Sequence, residues 1–237
     1  MSNVTEITGN IFTSECQTLV NTVNCVGVMG AGIALEFKFR HPTMFERYVQ
    51  LCKVGHIETG KLWLYKPPKG DSDRRWVLNF PTKKHWKDPS KNEYLVMGLK
   101  KFLETYKDKS VESIAFPILG ATNGKIAERE SLSIMQNYLA QCDIPVEIYH
   151  YDPTATDDLY QEFRRRILAN EDDKSMAKDM GLRINFVRKI REVLEWEDAI
   201  NSLSQLASVK GIGLKTLEKS FRYVMDNPEQ VGTKSML

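Results

Sequence analysis

Residues 23–37 read VNCVGVMGAGIALEF, and this stretch decides the fold that we expect. Three glycines, Gly27, Gly30 and Gly32, separate an apolar run that ends in Asn24 from a segment with helical spacing. Glycines let backbone N–H groups approach a ligand closely, and a helix N-terminus favours an anion. The order strand, glycine loop, helix therefore predicts a diphosphate site. An equally weighted alternative is a turn needed only for packing.

The spacing of these glycines is GxxGxG, whereas the dinucleotide-binding loop of Rossmann folds reads GxGxxG. No acidic residue follows a second strand at the distance of about 20 residues that such folds use for the ribose. NAD-dependent hydride transfer is therefore disfavoured.

Strand-like and helix-like segments alternate through the first 152 residues. Apolar runs predict strands at 4–8, 18–24, 61–65, 75–80, 113–119 and 146–152. Helical spacing predicts helices at 33–41, 42–55, 92–106 and 128–141. This alternation predicts an α/β fold whose sheet is largely parallel or mixed and carries helices on its faces.

The 237 residues, 42% of them hydrophobic, suffice for one large domain or for one domain with a small second one. The net charge of +2 gives no overall field for nucleic acid, so such binding needs a local patch. We expect no signal peptide, because the N-terminus has neither a basic nor an apolar region, and no membrane span, because no window approaches about 20 consecutive apolar residues. The four scattered cysteines indicate reduced thiols in a cytoplasmic protein. The histidines lack metal-site spacing, so neither a metal nor a cofactor is expected.

The alternation of strand-like and helix-like segments ends after Asp152, and only helical patterns follow, with no convincing strand. We expect a domain over residues 1–155 and a helical C-terminal region over residues 156–237, with the boundary set only within the stretch 155–175. The sequence shows no internal repeat.

A second glycine loop, LGATNGK at 119–125, also follows a strand and precedes a helix. In α/β sheets, ligands lie in the crevice at the carboxyl ends of the strands. Two such loops can hold one phosphate-rich ligand between them, so the pair is more informative than either loop alone.

The segment NFPTKKHWKDPS, residues 79–90, places Lys83 and Lys84 directly after a strand. A lysine becomes a nucleophile or an acid when burial or a nearby cation lowers its pKa, and each of these two residues can do this for the other. The usual role of such a pair is a solvated basic turn. The same cluster also suits a nucleic-acid backbone, with Trp86 available to stack on a base.

Three segments, VNTVNCVGVMGAGIALEFKFRHP, NFPTKKHW and FPILGATNG, together resemble the macrodomains. Within that family they resemble the DarG-like branch, the DNA ADP-ribosyl glycohydrolase antitoxins. The resemblance covers about residues 1–152. It implies a three-layer α/β/α macrodomain with a mixed central sheet and a cleft for ADP-ribose, followed here by a small all-α region.

The resemblance also implies roles for individual residues. Lys83 carries the hydrolysis at the anomeric carbon of the distal ribose, and Asn24 lies beside that ribose. The segments named above would bind ADP-ribose through Asn10, Ile11, Gly27, Met29, Gly30, Ala31, Gly32, Ile33, Pro81, Thr82, Gly120, Ala121, Thr122, Asn123 and Gly124. Asn10 stands where many macrodomains have an aspartate for adenine, and Gly124 stands where protein-directed relatives have a catalytic aspartate. Lys83 would therefore act without an acidic partner from that loop.

The stretch LASVKGIGLKTLEKSF, residues 206–221, resembles a helix–hairpin–helix motif, whose backbone amides hold a phosphate without reading sequence. The alternative is an ordinary glycine turn between packed helices. We expect nucleic-acid contacts at Lys84, His85, Trp86, Lys210, Gly211, Gly213 and Lys215. Relatives in the DarG-like branch use their C-terminal part against the toxin, so a cognate ADP-ribosyltransferase toxin is a further candidate partner.

The residues support one leading function and two alternatives. The leading hypothesis is a hydrolase that removes ADP-ribose from modified nucleic acid, with bases of single-stranded DNA as the expected substrate. A non-catalytic reader of ADP-ribose is the first alternative, and Lys83 after Phe-Pro-Thr favours catalysis over it. A phosphatase acting on ADP-ribose 1″-phosphate is the second, and it would rely on His85 near the distal ribose.

Overall fold

One mixed sheet organises the first part of the chain in the computed structural model, which describes residues 3–69, 74–196 and 200–226. Its strands are β1 (Val4–Gly9), β2 (Thr18–Val23), β3 (Trp63–Tyr65), β4 (Trp76–Pro81), β5 (Ile114–Pro117) and β6 (Val146–Tyr151). They lie in the order β1-β6-β5-β2-β4-β3. Neighbouring strands pair in parallel, except that β3 runs antiparallel to β4.

Helices cover both faces of this sheet. The helices α1 (Gly32–Arg40) and α2 (Pro42–Lys53) pack on one face, and α3 (Asn92–Thr105) and α4 (Glu128–Leu139) pack on the other. Strand β2 contributes to both cores, because its consecutive residues Leu19 and Val20 point to opposite faces. The predicted three-layer α/β/α arrangement with a mixed sheet is confirmed.

Strand β2 lies at the centre of the sheet, between β4 and β5. Its last residue, Val23, is in register with Pro81, the last residue of β4. Since β2, β4 and β5 run parallel, the segments that follow them leave the sheet at the same edge. Both glycine loops and the Phe-Pro-Thr-Lys segment therefore begin side by side.

The chain separates into two units, Met1–Asp152 and Pro153–Leu237. The described residues of the second unit form helices α5 (Asp158–Ala169), α6 (Asp173–Asp179), α7 (Ile184–Glu195), α8 (Leu203–Ala207) and α9 (Leu214–Asp226). The division that we predicted at residue 155 lies between the end of the first unit and the start of α5. None of the helices in the described ranges is long and apolar enough to cross a membrane.

The second unit contains a duplicated helical hairpin that the sequence did not reveal. Helices α6 and α7 begin 30 residues before α8 and α9, respectively. The side chains of Asp172 and Ser202 cap the two first helices at equivalent positions. Each turn contains a glycine with positive φ, Gly181 (+59°) in the first and Gly211 (+95°) in the second. The repeat escaped detection because the second turn reads Gly-Ile-Gly but the first reads Gly-Leu-Arg.

Candidate functional site

Three segments meet at the carboxyl edge of the sheet: the first loop (residues 24–31), the lysine segment (residues 82–91) and the second loop (residues 119–126). Main-chain hydrogen bonds join the lysine segment to the end of β2 and to the first loop. Thr82 N donates to Val23 O at 3.0 Å, and Cys25 N donates to Lys84 O at 3.0 Å. The first loop and the lysine segment are therefore held together through their backbones.

The two glycine loops touch where the first loop enters α1. A Cβ added to Gly32 would lie 2.5 Å from Nδ2 of Asn123, in the second loop. Gly32 also has φ +57°, a conformation that residues with a side chain rarely adopt. The positive φ favours glycine at this position, whereas the exposed Asn123 side chain could move away from an added methyl group.

Asn24 holds the first loop in shape. Its Oδ1 accepts hydrogen bonds from the N–H groups of Val26 (3.0 Å) and Val28 (3.4 Å), and its Nδ2 donates to Val28 O at 2.6 Å. The Tyr48 hydroxyl donates to the main-chain carbonyl of Asn24 at 2.7 Å. This buried side chain is therefore engaged with its own loop, and its place beside the distal ribose stays a prediction.

The first loop is anchored at one end and open at the other. The Met29 side chain is buried, with Sδ 3.9 Å from Nδ2 of Asn21 beneath the loop. Gly27 has φ +79°, which turns the chain without a side chain in the way. Ala31 precedes α1 and provides no side-chain cap, so N–H groups of the first helical turn are available to a ligand.

The second loop folds tightly around two glycines. Gly120 (φ +68°) and Lys125 (φ +65°) both lie in the left-handed region, and Ile126 N donates to Gly120 O at 3.0 Å. A Cβ added to Gly124 would lie 2.3 Å from Gly120 O and 2.4 Å from Ser90 Oγ. Position 124 therefore cannot accept an aspartate without rebuilding the loop.

Lys83 connects the lysine segment to the second loop. Its Nζ donates to the main-chain carbonyl of Asn123 at 2.8 Å. Partial burial lowers the pKa of Lys83 below the usual lysine value; Asp88 acts in the opposite direction, and nearby Lys125 lowers the pKa further. The neighbouring cation is thus Lys125, and not the adjacent Lys84 as we had expected. The lowered pKa favours the neutral amine, which is the nucleophilic form of lysine.

The residues after Lys83 form a basic and aromatic surface. The rings of His85 and Trp86 stack with centroids 5.5 Å apart, and Lys87 Nζ lies 5.0 Å from the Trp86 ring centroid. Lys84 Nζ lies 6.0 Å from the ring centroid of Tyr94. Trp86 is 49% exposed, so part of the indole is accessible to solvent. The predicted contacts of Lys84, His85 and Trp86 with nucleic acid are not tested by this geometry and stay predictions.

Asn10 and Ile11 lie at a short 3-10 helix, Ile11–Thr13, after β1. Asn10 Oδ1 caps this helix by accepting a hydrogen bond from Phe12 N at 3.0 Å. The Phe12 ring packs edge-on against Phe37 of α1, with centroids 4.9 Å apart. Asn10, predicted at the adenine, and Ile11, predicted to bind the ligand, are thereby joined to the helix that the first loop opens.

The other residues predicted to bind ADP-ribose differ in exposure. Ala31, Thr122 and Asn123 are exposed. Gly27, Gly30, Gly32, Ile33 and Ala121 are half-buried, and Met29, Pro81, Thr82, Gly120 and Gly124 are buried. A ligand can thus reach the tips of both loops, while the buried members shape the backbone beneath it.

The predicted hairpin contacts lie in the second unit. Lys210, Gly211, Gly213 and Lys215 are exposed around the turn between α8 and α9. Buried Ile212 anchors this turn, and its N–H donates to Val209 O at 2.9 Å. The turn therefore presents its glycines and lysines to solvent.

Sequence reasoning missed three residues of the site. Tyr48 fixes the first loop through Asn24, Lys125 lowers the pKa of Lys83, and Ser90 lies under the second loop. Lys125 was part of a quoted motif, but no pattern showed that it faces Lys83. Ser90 was likewise part of a quoted segment, but neither it nor Tyr48 carries a sequence signal of its contact, because only the tertiary fold brings them to the loops.

The described ranges contain no group of three or more His, Cys, Asp or Glu side chains arranged to hold a metal ion. All four cysteines are free. Burial raises the pKa of Cys25 to about 11, and its Sγ lies 3.5 Å from the main-chain carbonyl of Lys83. Cys25 is therefore a protonated thiol at neutral pH and contacts the lysine segment as a weak donor.

A family profile described as Macro domain matches residues 20–135. A DNA ADP-ribosyl glycohydrolase of Thermus aquaticus is 40% identical over 148 residues, which cover 62% of this chain and 40% of that protein. This chain thus spans about two fifths of the length of that curated relative.

Two solved structures are similar to this chain. The macrodomain of Thermus aquaticus DarG has a TM-score of 0.57 and 39% identity, covering 63% of this chain and 98% of that one. Thermosipho africanus DarTG in complex with ADP-ribose has a TM-score of 0.61 and 34% identity, covering 68% of this chain and 44% of that one. The first comparison includes almost the whole of a macrodomain, at an identity that goes beyond likeness of fold alone.

Proposed function

Because this chain belongs to the macrodomain family, we propose that it is an ADP-ribosyl glycohydrolase that removes ADP-ribose from modified nucleic acid. The proposed substrate is single-stranded DNA carrying ADP-ribose on its bases. The observation that carries this proposal is the position of Lys83, whose amine has a lowered pKa and binds a carbonyl of the second loop, while its own carbonyl lies beside Cys25 of the first loop.

The two loops would hold ADP-ribose between them. The diphosphate is proposed to lie against the first loop and the open N-terminal turn of α1, because both offer backbone N–H groups to an anion. The second loop would enclose the distal ribose, and Asn10 and Ile11 would border the adenine. Asn10 also caps the 3-10 helix, so its proposed contact with adenine would be made from a side chain that is already held in place.

Lys83 supplies the proposed chemistry. Its neutral amine attacks C1″ of the distal ribose while the glycosidic bond breaks, and the bonding electrons leave with the base. A proton from the newly formed ammonium passes to the departing base. Opening of the ribose ring then gives a Schiff base with Lys83, and one water molecule hydrolyses it to release ADP-ribose and the free amine.

No acidic side chain of the second loop takes part in this reaction. Position 124 has no room for a carboxylate that could act as a general base. The lowered pKa of Lys83 would instead raise the fraction of its amine that is neutral, so that no base is needed to deprotonate it. Asn24 would act by holding the first loop beside the distal ribose, since its amide is engaged with the loop backbone.

The nucleic acid would lie along the surface that follows Lys83. We propose that a base stacks on Trp86, and that Lys84 and His85 face the backbone. In the second unit, Lys210, Gly211, Gly213 and Lys215 are proposed to hold a phosphate at the second hairpin.

Two alternatives use the same cleft. A reader would bind ADP-ribose without turnover, and a lysine amine with a lowered pKa against the second loop favours catalysis over that function. A phosphatase for ADP-ribose 1″-phosphate would rely on His85. Its Nδ1 accepts a hydrogen bond from Lys87 N at 3.3 Å and its ring stacks on Trp86, which favours a structural role in the turn.

The test compares the full chain with Lys83→Ala on ADP-ribosylated single-stranded DNA and on ADP-ribosylated protein. We expect ADP-ribose to be released from the DNA by the wild type and not by the variant, while both bind free ADP-ribose. Binding without release by the wild type would establish the reader. Release of phosphate from ADP-ribose 1″-phosphate, with DNA untouched, would establish the phosphatase.

We also propose a cognate ADP-ribosyltransferase toxin as a partner and the cytoplasm as the compartment. The toxin partner follows from the resemblance to the DarG-like branch. The cytoplasmic compartment agrees with the four free thiols. Co-elution of the two proteins from size-exclusion chromatography would test the partnership.

A further inference from the structure

A buried serine beneath the second loop has no part in the proposed reaction. Ser90, near the end of the lysine segment, is only 7% exposed. Its Oγ has no hydrogen-bond partner within the part of the chain that the structure describes. Burying a hydroxyl without a partner costs stability, so stability alone would favour alanine at this position.

The position of Ser90 explains what the residue can do. Its N–H donates to Gly124 O at 2.8 Å. Its Oγ lies 2.4 Å from the point where a Cβ on Gly124 would stand and 3.2 Å from the corresponding point on Gly120. The hydroxyl therefore fills the space under both glycines of the second loop.

Two consecutive carbonyls of the second loop are bound by opposite ends of the lysine segment. Asn123 O accepts a hydrogen bond from Lys83 Nζ, and the next carbonyl, Gly124 O, accepts one from Ser90 N. Only the backbone torsions of Gly124 separate these two carbonyls. Because glycine torsions are soft, the direction of the Asn123 carbonyl depends on what holds position 124 in place.

We propose that Ser90 is a positioning residue for Lys83. By holding Gly124 through its N–H and filling the space beneath the loop with its hydroxyl, it directs the Asn123 carbonyl toward the lysine amine. That carbonyl takes one N–H of Lys83, which orients the amine lone pair toward the anomeric carbon. This inference rests on the proposed function, because it takes Lys83 as the reacting group.

A second buried serine provides a matched control. Ser131 is fully buried in α4, and its Oγ donates to Leu119 O, at the start of the same loop, at 2.6 Å. Ser90→Ala removes a hydroxyl without a partner, whereas Ser131→Ala removes one with a partner. The two variants, made in the full chain, therefore separate positioning from stability.

We expect opposite effects from the two variants. Ser90→Ala should lower kcat on ADP-ribosylated single-stranded DNA about tenfold with little change in KM, because the amine is misdirected after binding. Its Tm should stay the same or rise, since no satisfied hydrogen bond is lost. Ser131→Ala should lower Tm by several degrees and leave the pH dependence of kcat unchanged.

An independent readout follows the Lys83 amine itself. In protein with 13C-labelled lysine, the Lys83 signal is assigned by its loss in Lys83→Arg and titrated in the wild type and in Ser90→Ala. We expect Lys83 to titrate at higher pH in Ser90→Ala, because the displaced loop exposes the amine to water.

An unchanged kcat with an unchanged titration would overturn the role of Ser90, as would a loss of kcat that only parallels a loss of Tm. If the wild type releases no ADP-ribose, the glycohydrolase function fails, and the titration still decides the role of Ser90.

Discussion

Lys83 and Asn123 are joined by a hydrogen bond of 2.8 Å from the lysine Nζ to the asparagine main-chain carbonyl. The bond links the residue proposed to attack the ribose with the loop proposed to hold that ribose. It requires no acidic side chain, which agrees with the steric block at Gly124. The proposed nucleophile is therefore held by a main-chain carbonyl, and its pKa is lowered mainly by partial burial.

The charge of Lys125 should contribute to the pH dependence of the reaction, after the larger effects of burial and of Asp88 on the pKa of Lys83. Replacing it by asparagine, which tolerates the left-handed conformation at this position, removes a cation that lowers the pKa of Lys83. The pKa of Lys83 should rise, so a smaller fraction of the amine is neutral at pH 7. We expect the acidic limb of the kcat profile to move to higher pH in Lys125→Asn.

Lys84→Asn is the control for this shift. Its Nζ lies over the Tyr94 ring, and it is not among the groups that change the pKa of Lys83. We expect Lys84→Asn to raise the KM for DNA and to leave the acidic limb of the kcat profile at the same pH. Equal movement in both variants would mean that general surface charge, and not Lys125, controls the amine.

The contact between the two glycine loops should be required for binding ADP-ribose. Gly32→Ala places a methyl group 2.5 Å from Nδ2 of Asn123, so this side chain must leave its place between the loops, and we expect binding to weaken up to about tenfold. Gly55→Ala is the control. It introduces a similar backbone strain, because Gly55 also has a positive φ (+73°), but no atom lies within 4 Å of the new methyl group. Calorimetric titration with ADP-ribose should therefore separate the two variants, although both lose stability. Equal affinities would show that the Asn123 side chain moves aside without cost and that its place beside Gly32 is not needed for binding.

The sequence predicted the layers of the first unit because β2 and its neighbours carry apolar runs and α3 has clear helical spacing. It predicted that the loops after Val23 and Pro117 approach each other, because parallel strands end at one edge. It did not predict that Lys125 faces Lys83 or that Ser90 lies under Gly124, because side-chain contacts between loops have no periodic signature. The hairpin duplication stayed hidden because the two turns differ in sequence and because the first helix of each hairpin, with seven and five residues, is too short to show a period.

His150 should make the first unit more stable at low pH than at high pH. Its Nε2 lies 2.9 Å from Glu6 Oε2 and its Nδ1 lies 2.7 Å from Glu128 Oε1. Hydrogen bonds to Glu6 and then to Glu128 raise the pKa of His150, because only the imidazolium donates from both nitrogens. The folded pKa therefore exceeds the unfolded value of about 6.5, and the stabilisation is complete below that pH and lost as pH rises through the folded pKa.

The measurement is chemical unfolding of His150→Gln and wild type between pH 5.5 and 9. The loss of unfolding free energy should be about 1 kcal/mol or less at low pH, as for partly exposed ion pairs, and should shrink toward pH 9. Replacement of the exposed His56 by glutamine serves as the control. A loss in His150→Gln that does not change with pH would mean that the ring acts by packing alone.

The second hairpin should contribute to DNA affinity through charge. Replacing Lys210 and Lys215 together by alanine should make the DNA-binding constant less dependent on salt. The slope of its logarithm against the logarithm of the salt concentration should fall in magnitude by up to about two, whatever the DNA sequence. The first hairpin provides the matched control, because Lys178 and Arg183 flank its turn but the Gly-Ile-Gly signature is absent there. An equal reduction from Lys178→Ala with Arg183→Ala would contradict a specific role for the second hairpin.

Trapping of the proposed Schiff base tests the role of Lys83 most directly. The full chain is incubated with ADP-ribosylated single-stranded DNA in the presence of borohydride, digested and examined by mass spectrometry. We predict a reduced ADP-ribose adduct on the peptide that contains Lys83, and none in Lys83→Arg. Turnover of the DNA without any adduct at Lys83, or an adduct confined to another lysine such as Lys84 or Lys125, would contradict the proposed mechanism.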